Sequence, residues 1–317
     1  MIKNSIIIPA YNEYENIVEL ISEIENEFSD EIDKKEIELI IVNDGSNDKT
    51  RFSIKEDIQQ KKIKIKIIHL IKNRGKSFAL EIAFNYTEGN NIVIIDADQQ
   101  YRVKDIKKLI NLIEHEGYDL VNGKRENRKD DNITKVTSKF YNLIIRKILN
   151  VECEDFFSGL KVFKAKIIKV IDFRDLCRFI ILLANLNGFK IHEEPIEHKK
   201  RIHGKSRYNL FSRIKLFVND FITLFFLRFM NRYKVYLLNI YLRFSLAIYI
   251  LYYSIFLIFS ENFTVLNLLN DKILTLLILS NIIVLIMNSI LKIHESQHKI
   301  SFNERLKNID LVETNNE

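Results

Sequence analysis

The segment Ile92-Val93-Ile94-Ile95-Asp96-Ala97-Asp98 constrains this chain more than any other. Four consecutive apolar residues read as a strand buried on both faces. The run stops at two carboxylates one residue apart, so both sit at the strand's carboxyl end. In open α/β sheets, ligands bind outside that end. Two close carboxylates repel each other unless a cation lies between them or one is protonated. Hard oxygen donors beside a phosphate site suit Mg²⁺ or Mn²⁺. By itself Asp-x-Asp is also an ordinary acidic turn, so the neighbouring segments decide its meaning.

Three earlier segments repeat the pattern. Ser5–Ile8 is an apolar run that stops at Pro9, followed by Ala10-Tyr11-Asn12-Glu13. Ile17, Leu20, Ile21, Ile24 and Phe28 then recur at helical spacing. Ile37–Val42 is a second strand, ending in the polar turn Asn43-Asp44-Gly45-Ser46-Asn47-Asp48-Lys49-Thr50. Ile65–Leu70 is a third, followed by Asn73-Arg74-Gly75-Lys76 and a helix over Ser77–Tyr86. Strands alternating with helices predict right-handed crossovers and a largely parallel sheet. Every strand then delivers polar residues to one edge. Asp44 can accept from the N–H groups of a nucleobase there. Arg74 and Lys76 flank a glycine, where backbone and cations meet phosphate. Asp96 and Asp98 supply the metal side. A nucleotide diphosphate needs all three. No Gly-x-Gly-x-x-Gly follows the first strand, which disfavours a dinucleotide enzyme.

These blocks resemble the signature segments of family 2 glycosyltransferases of the GT-A fold. The resemblance rests on Ile8–Glu13, Asn43–Thr50, Asn73–Lys76 and Asp96–Gln100, in matching order and spacing. Within that family they are similar to the polyprenyl-phosphate branch, the dolichol-phosphate mannose synthases and bacterial undecaprenyl-phosphate glycosyltransferases. The resemblance implies that Pro9, Tyr11 and Glu13 line the nucleotide pocket and that Asp44 contacts the base. It implies that Asp96, Asp98 and Gln100 hold the divalent cation on the diphosphate. The chain departs from the family pattern at Asn43, where Asp is usual, and at Gln99 and Tyr101-Arg102-Val103, where Leu and His-Pro-Pro are usual.

The resemblance continues on the acceptor side. Leu120–Arg125 is a strand ending in basic residues, similar to the family's Gly-Ser-Arg, with Lys124 in the Ser position. Asn127–Asp131 is a charged loop, and Lys135–Leu149 an amphipathic helix. Relatives carry Arg four residues before the Ser that aligns with Ser138; here that position is Thr134, which leaves phosphate contact to Lys135 or Lys139. Asp155-Phe156-Phe157-Ser158-Gly159 matches Asp-x-x-Ser/Thr-Gly and puts Asp155 at the acceptor side, either in catalysis or orienting basic residues. His198–Tyr208 matches Arg-x-x-Gly-x-Ser-Lys-Tyr. Arg201 and Lys205 then join Arg125 on the acceptor phosphate, where arginine's fixed fork suits two phosphate oxygens.

Composition changes beyond about Tyr208. Residues 209–234 read as amphipathic helices at a membrane surface. Val235–Phe259 is apolar apart from Arg243, and Ile273–Leu291 carries no charge. Each is long enough to span a bilayer. Arg228, Arg232, Lys234 and Lys292 flank the spans, while Glu261 and Asp271 lie between them with Lys272 as the one cation there. By the positive-inside rule, the domain over 1–208 and the tail over 294–317 both face the cytoplasm. The polar segment after Ser296 is expected to fray. Asn281 and Asn288 lie within the second span, where homo-oligomerisation through helix contacts is an expectation. Lys plus Arg number 48 against Asp plus Glu 42, a +6 excess that is too small to argue for nucleic acid. Cys153 and Cys177 match no metal spacing and no disulfide framework.

The expected activity is inverting transfer from a UDP- or GDP-sugar to a polyprenyl phosphate at the cytoplasmic membrane face. The catalytic group is Asp98, Asp155, Arg125 and Arg201, with Mg²⁺ or Mn²⁺ as cofactor. One alternative is a glycolipid or polysaccharide hydroxyl acceptor, which would need a general base. Another is a silent membrane protein that binds sugar nucleotide without turnover. The absence of tryptophan argues against a processive synthase, whose Gln-x-x-Arg-Trp block requires one.

Overall fold

Four apolar runs become adjacent parallel strands. β1 (Asn4–Ala10) lies between β2 (Ile37–Asn43) and β4 (Asn91–Ile94), and β3 (Lys64–Leu70) pairs with the outer side of β2. The computed structural model describes residues 1–48, 50, 61–126, 138, 142–143, 145–146, 152–171, 173, 176–200 and 308–314. Continuously apolar strands need cover on both faces, and they receive it. Ile6, Ile8, Leu39, Ile41 and Val93 join one core with α1 (Tyr14–Glu27) and α4 (Val103–His115). The opposite face is covered by α3 (Lys76–Phe84), which packs on β1 and β2. Each such Ile or Leu contributes about 1.5–3 kcal/mol by leaving water, so this layer order follows directly from the pattern.

Beyond β4 one strand reverses. β6 (Lys161–Lys164) runs antiparallel between β4 and β5 (Leu120–Glu126), and β7 (Ile191–Glu197) pairs parallel with β5. The strand order is β7-β5-β6-β4-β1-β2-β3, with β8 (Ile309–Thr314) outside β3. The sheet is therefore mostly parallel, as expected, with β6 and β8 running against the other six strands. The remaining helices are short: α2 (Ser29–Asp33), α5 (Lys166–Val170) and α6 (Ile180–Leu186). Both cysteines are free and buried.

The expected fraying after Ser296 is corrected at β8 (Ile309–Thr314). This strand pairs antiparallel with β3, from Lys66 opposite Thr314 to Leu70 opposite Ile309. The physical reason is the open edge of β3, whose unpaired N–H and C=O groups need a partner. Residues 301–317 accordingly group with residues 1–209, and 210–300 form a second unit. Truncation before Ile309 is expected to lower the unfolding temperature and to promote self-association, read by thermal melting and light scattering. The amphipathic segment over 209–234 and the spans expected at Val235–Phe259 and Ile273–Leu291 lie outside the described residues. Among the described residues, no helix is long and apolar enough to cross a membrane.

Candidate active site

The carboxyl ends of β1, β2, β3, β4 and β5 open onto one edge of the sheet, and the loop entering β6 reaches the same edge because that strand runs the other way. The loops after β1 and β2, expected on the nucleotide side, lock one another. Asn12 N–H donates to Ser46 Oγ at 2.9 Å, and Glu13 N–H to Thr50 Oγ1 at 3.2 Å. These bonds join the ends of β1 and β2. Pro9, Tyr11 and Glu13 are half-buried there. Glu13 Oε2 accepts from Asn16 Nδ2 at 2.6 Å.

Asp44 is buried, and its carboxylate accepts Arg74 N–H at 2.7 Å and Gly75 N–H at 2.8 Å. The residue expected to contact a base therefore also fixes the turn that carries Arg74 and Lys76. Gly45, with φ +66°, passes against the backbone of Lys72 and Asn73, where a Cβ would overlap. Asn43, the departure from the family's usual Asp, donates from Nδ2 to the buried His69 Nδ1 at 2.9 Å and accepts Ser46 N–H at 2.9 Å through Oδ1. An aspartate has no hydrogen to donate to an acceptor nitrogen, so the amide suits this partner.

Asp96 and Asp98 follow β4 as expected. Lys76, the first residue of α3, places its ammonium on Asp96 Oδ1. Burial opposes ionisation of Asp96, but Lys76, with Lys161 and Arg125 nearby, outweighs it and holds the carboxyl below its usual range. Asp98 is buried, and one of its oxygens accepts Gln100 N–H at 3.3 Å. Gln99 takes a left-handed φ of 57° and turns its amide away from the other two, onto Asn16 O and Glu19. Gln100 donates from Nε2 to Lys199 O at 3.3 Å, and its carbonyl accepts Lys199 N–H at 2.8 Å. The acidic loop is thereby tied to the segment that leads into the basic cluster. Among the described residues, no three His, Cys, Asp or Glu side chains gather as a metal cage. Two carboxylates and an amide fit a divalent ion that completes its shell with diphosphate oxygens, the usual habit of Mg²⁺.

Tyr101, where the family's His is usual, is buried, and its hydroxyl accepts Gly159 N–H at 2.6 Å. Burial pushes its phenol up. Gly159 in turn lies so close to Asp96 that a Cβ would overlap the carboxylate and the Tyr101 ring. Gly159→Ala is expected to cut turnover about a hundredfold by displacing Asp96, with the nucleotide-side loops intact. Measuring kcat together with nucleotide affinity checks this.

Arg125 and Asp155, expected on the acceptor side, form a fork. Nε donates to Oδ2 and Nη2 to Oδ1, both at 2.7 Å, and the Arg125 N–H adds a third bond to Oδ2 at 3.2 Å. The side chains are 13% and 7% exposed. Lys124 pairs instead with Glu154 at 2.6 Å. Ser138 is helical and half-buried. Lys135, Arg201 and Lys205 lie outside the described residues. Two site-side residues escaped the sequence reading, Lys161 and Glu193. Lys161 is buried in β6, and its ammonium donates to Ser158 O. Burial lowers its pKa to about 8, with repulsion from Lys76 adding to this. A lysine inside the apolar run Leu160–Phe163 was the available signal.

The model of glycosyl transferase family 2 matches residues 5–172, just over half of the chain. The chain belongs to glycosyl transferase family 2. The match includes every described site segment except β7 and the residues that follow it. Among relatives, this family 2 chain is 28% identical over 220 residues to the undecaprenyl-phosphate 4-deoxy-4-formamido-L-arabinose transferase of Edwardsiella ictaluri. The alignment covers 69% of this chain and 66% of that protein, so this chain spans just under two thirds of the relative's length. Among solved structures, it resembles glucosyl-3-phosphoglycerate synthase from Mycobacterium tuberculosis in complex with Mn²⁺, UDP and glucosyl-3-phosphoglycerate. That likeness has a TM-score of 0.55 at 19% identity and covers 71% of this chain and 79% of the other. The complex of the same synthase with Mn²⁺, UDP-glucose and glycerol 3-phosphate gives a TM-score of 0.54 at 19% identity, with the same coverage. At that identity the likeness is one of fold.

Proposed function

We propose that this family 2 glycosyltransferase moves a sugar from a UDP- or GDP-sugar to a polyprenyl phosphate, with inversion, at the cytoplasmic face of a membrane. The observation that carries the proposal is the Arg125–Asp155 fork. Asp155 is the carboxylate on the acceptor side, and both of its oxygens are committed to Arg125. A hydroxyl acceptor would need a carboxylate ready to take its proton. A lipid phosphate is already anionic at neutral pH and needs none. The relative's undecaprenyl-phosphate acceptor agrees with this choice.

The work left to the protein is alignment and charge. Asp44 holds the Arg74–Lys76 turn beside the donor's phosphates. Asp96, Asp98 and Gln100 would hold Mg²⁺ or Mn²⁺ with the diphosphate, where the ion neutralises charge on the leaving group. Mn²⁺ in the solved synthase supports a divalent ion. Arg125, held rigid by Asp155, offsets repulsion between acceptor and donor phosphates, with Arg201 and Lys205 as further cations. In-line attack by the phosphate oxygen on the anomeric carbon inverts it.

The sheet supports the membrane part. β8 lies in the same sheet as β1 to β7, so residues 200 and 308 would be on one side of any bilayer. Crossings between them must then be even in number. Two spans, Val235–Phe259 and Ile273–Leu291, meet that parity, with the catalytic unit and the tail cytoplasmic. A comparison of acceptors tests the reaction. Polyprenyl phosphate should take up sugar while the matching polyprenol takes up none. Transfer to polyprenol, or to a glycolipid hydroxyl alone, would overturn the proposal.

A further inference from the structure

Three adjacent strands carry a polar row beneath the Cys153–Gly159 loop. Lys161 of β6 is in register with Asn122 of β5, and Asn122 with Glu193 of β7. Residues directly opposite in a sheet share a face, so the three side chains stand side by side. Each takes hold of the loop's backbone. Lys161 donates to Ser158 O, and Asn122 Nδ2 donates to Asp155 O at 2.9 Å. Glu193 receives the most. Its Oε1 accepts Asp155 N–H at 2.9 Å and Asn122 Nδ2 at 2.9 Å, and its Oε2 accepts Glu154 N–H at 2.8 Å. The Cys153 thiol donates to Oε1 at 3.1 Å. Glu193 touches neither the Asp96–Gln100 loop nor Arg125 in these bonds. It meets the site only through the loop that ends in Asp155.

We infer that Glu193 is a positioning residue for sugar transfer: by gathering the Cys153–Asp155 backbone, it sets Asp155 against Arg125. This rests on the acceptor role proposed for that fork. An ionised carboxylate is acceptor-only, with two oxygens to share among these four donors. A glutamine there has one acceptor oxygen and turns an NH₂ toward groups that donate. At least one loop amide then loses its partner, and the Asp155 carboxylate shifts relative to Arg125. A misplacement of about 1 Å far from the chemistry can cost about a hundredfold in rate.

The test uses the full chain in detergent micelles. Wild type, Glu193→Gln, Asp155→Asn and the double variant are compared by labelled transfer to polyprenyl phosphate, donor-nucleotide affinity and amide hydrogen exchange over residues 153–158. Glu193→Gln should speed exchange in that segment and lower kcat/KM for the lipid phosphate about a hundredfold, with nucleotide affinity unchanged. The double variant should be no worse than Asp155→Asn alone, because both act through one contact. Additive losses, an equal loss of nucleotide affinity, or unchanged loop exchange would overturn the inference. If wild type transfers nothing to polyprenyl phosphate, the proposed function fails, and loop exchange still decides whether Glu193 positions Asp155. Should Glu193→Gln not fold, Glu193→Asp is read in the same way, its shorter arm reaching the loop amides less well.

Discussion

Asp155→Ala lowers the free energy of unfolding by about 3–5 kcal/mol, the range for removing one partner of a buried ion pair. It is also expected to leave the proposed transfer to polyprenyl phosphate at about a hundredth of wild type or below. The Arg125 side chain is only 13% exposed and gives Nε and Nη2 to Asp155. Without that carboxylate, a largely desolvated guanidinium has lost its closest anion. The Arg125 backbone N–H loses a partner as well. Thermal unfolding of the full chain in micelles, paired with the transfer assay, separates the two effects. Asp155→Asn keeps the shape but removes the charge, and should fall between wild type and alanine in stability. Near wild-type stability in Asp155→Ala would show that solvent or another group replaces the fork.

Asp98→Ala reduces metal-dependent turnover by about a thousandfold, the upper end of what removing one preorganised charge-stabilising group costs. Asp98 is buried, and one of its bonds is to the Gln100 N–H of its own loop. Truncation removes both the proposed ligand oxygen and a brace on Gln100. Asp96 adds no replacement ligand, since it is already proposed for the same ion and shares its other oxygen with the Lys76 ammonium. Titrating Mg²⁺ and Mn²⁺ against activity and nucleotide affinity checks this. A variant that keeps near-normal activity at low metal would remove Asp98 from the metal site.

The half of the site that was legible in the sequence lies at the ends of buried parallel strands. β1 to β4 announce themselves because both faces must be apolar, so the residues that end each run are marked by contrast. Asp96 and Asp98 could be placed for that reason alone. β6 and β8 carry no such mark. β6 is only four residues long, and β8 mixes apolar and polar side chains without a regular period within a polar stretch. Their places depend on an available sheet edge, a property of the folded chain. Asp44 shows a second limit. Its carboxylate faces backbone N–H groups of Arg74 and Gly75, and backbone donors leave no trace in side-chain identity. Glu193 shows a third. It sits between His192 and Glu194, which face the other way and pair with each other. Only register with Asn122 tells which of these side chains lies under the Asp155 loop.

The most direct test incubates membranes holding the full chain with polyprenyl phosphate, Mg²⁺ or Mn²⁺, and a panel of labelled UDP- and GDP-sugars. The readout is label entering the organic phase, with Asp98→Ala as control. Acid-labile, metal-dependent lipid label from one donor, absent in the control, is the predicted result and names the sugar at the same time. Measurable nucleotide binding with no lipid label from any donor would contradict transfer to a lipid phosphate.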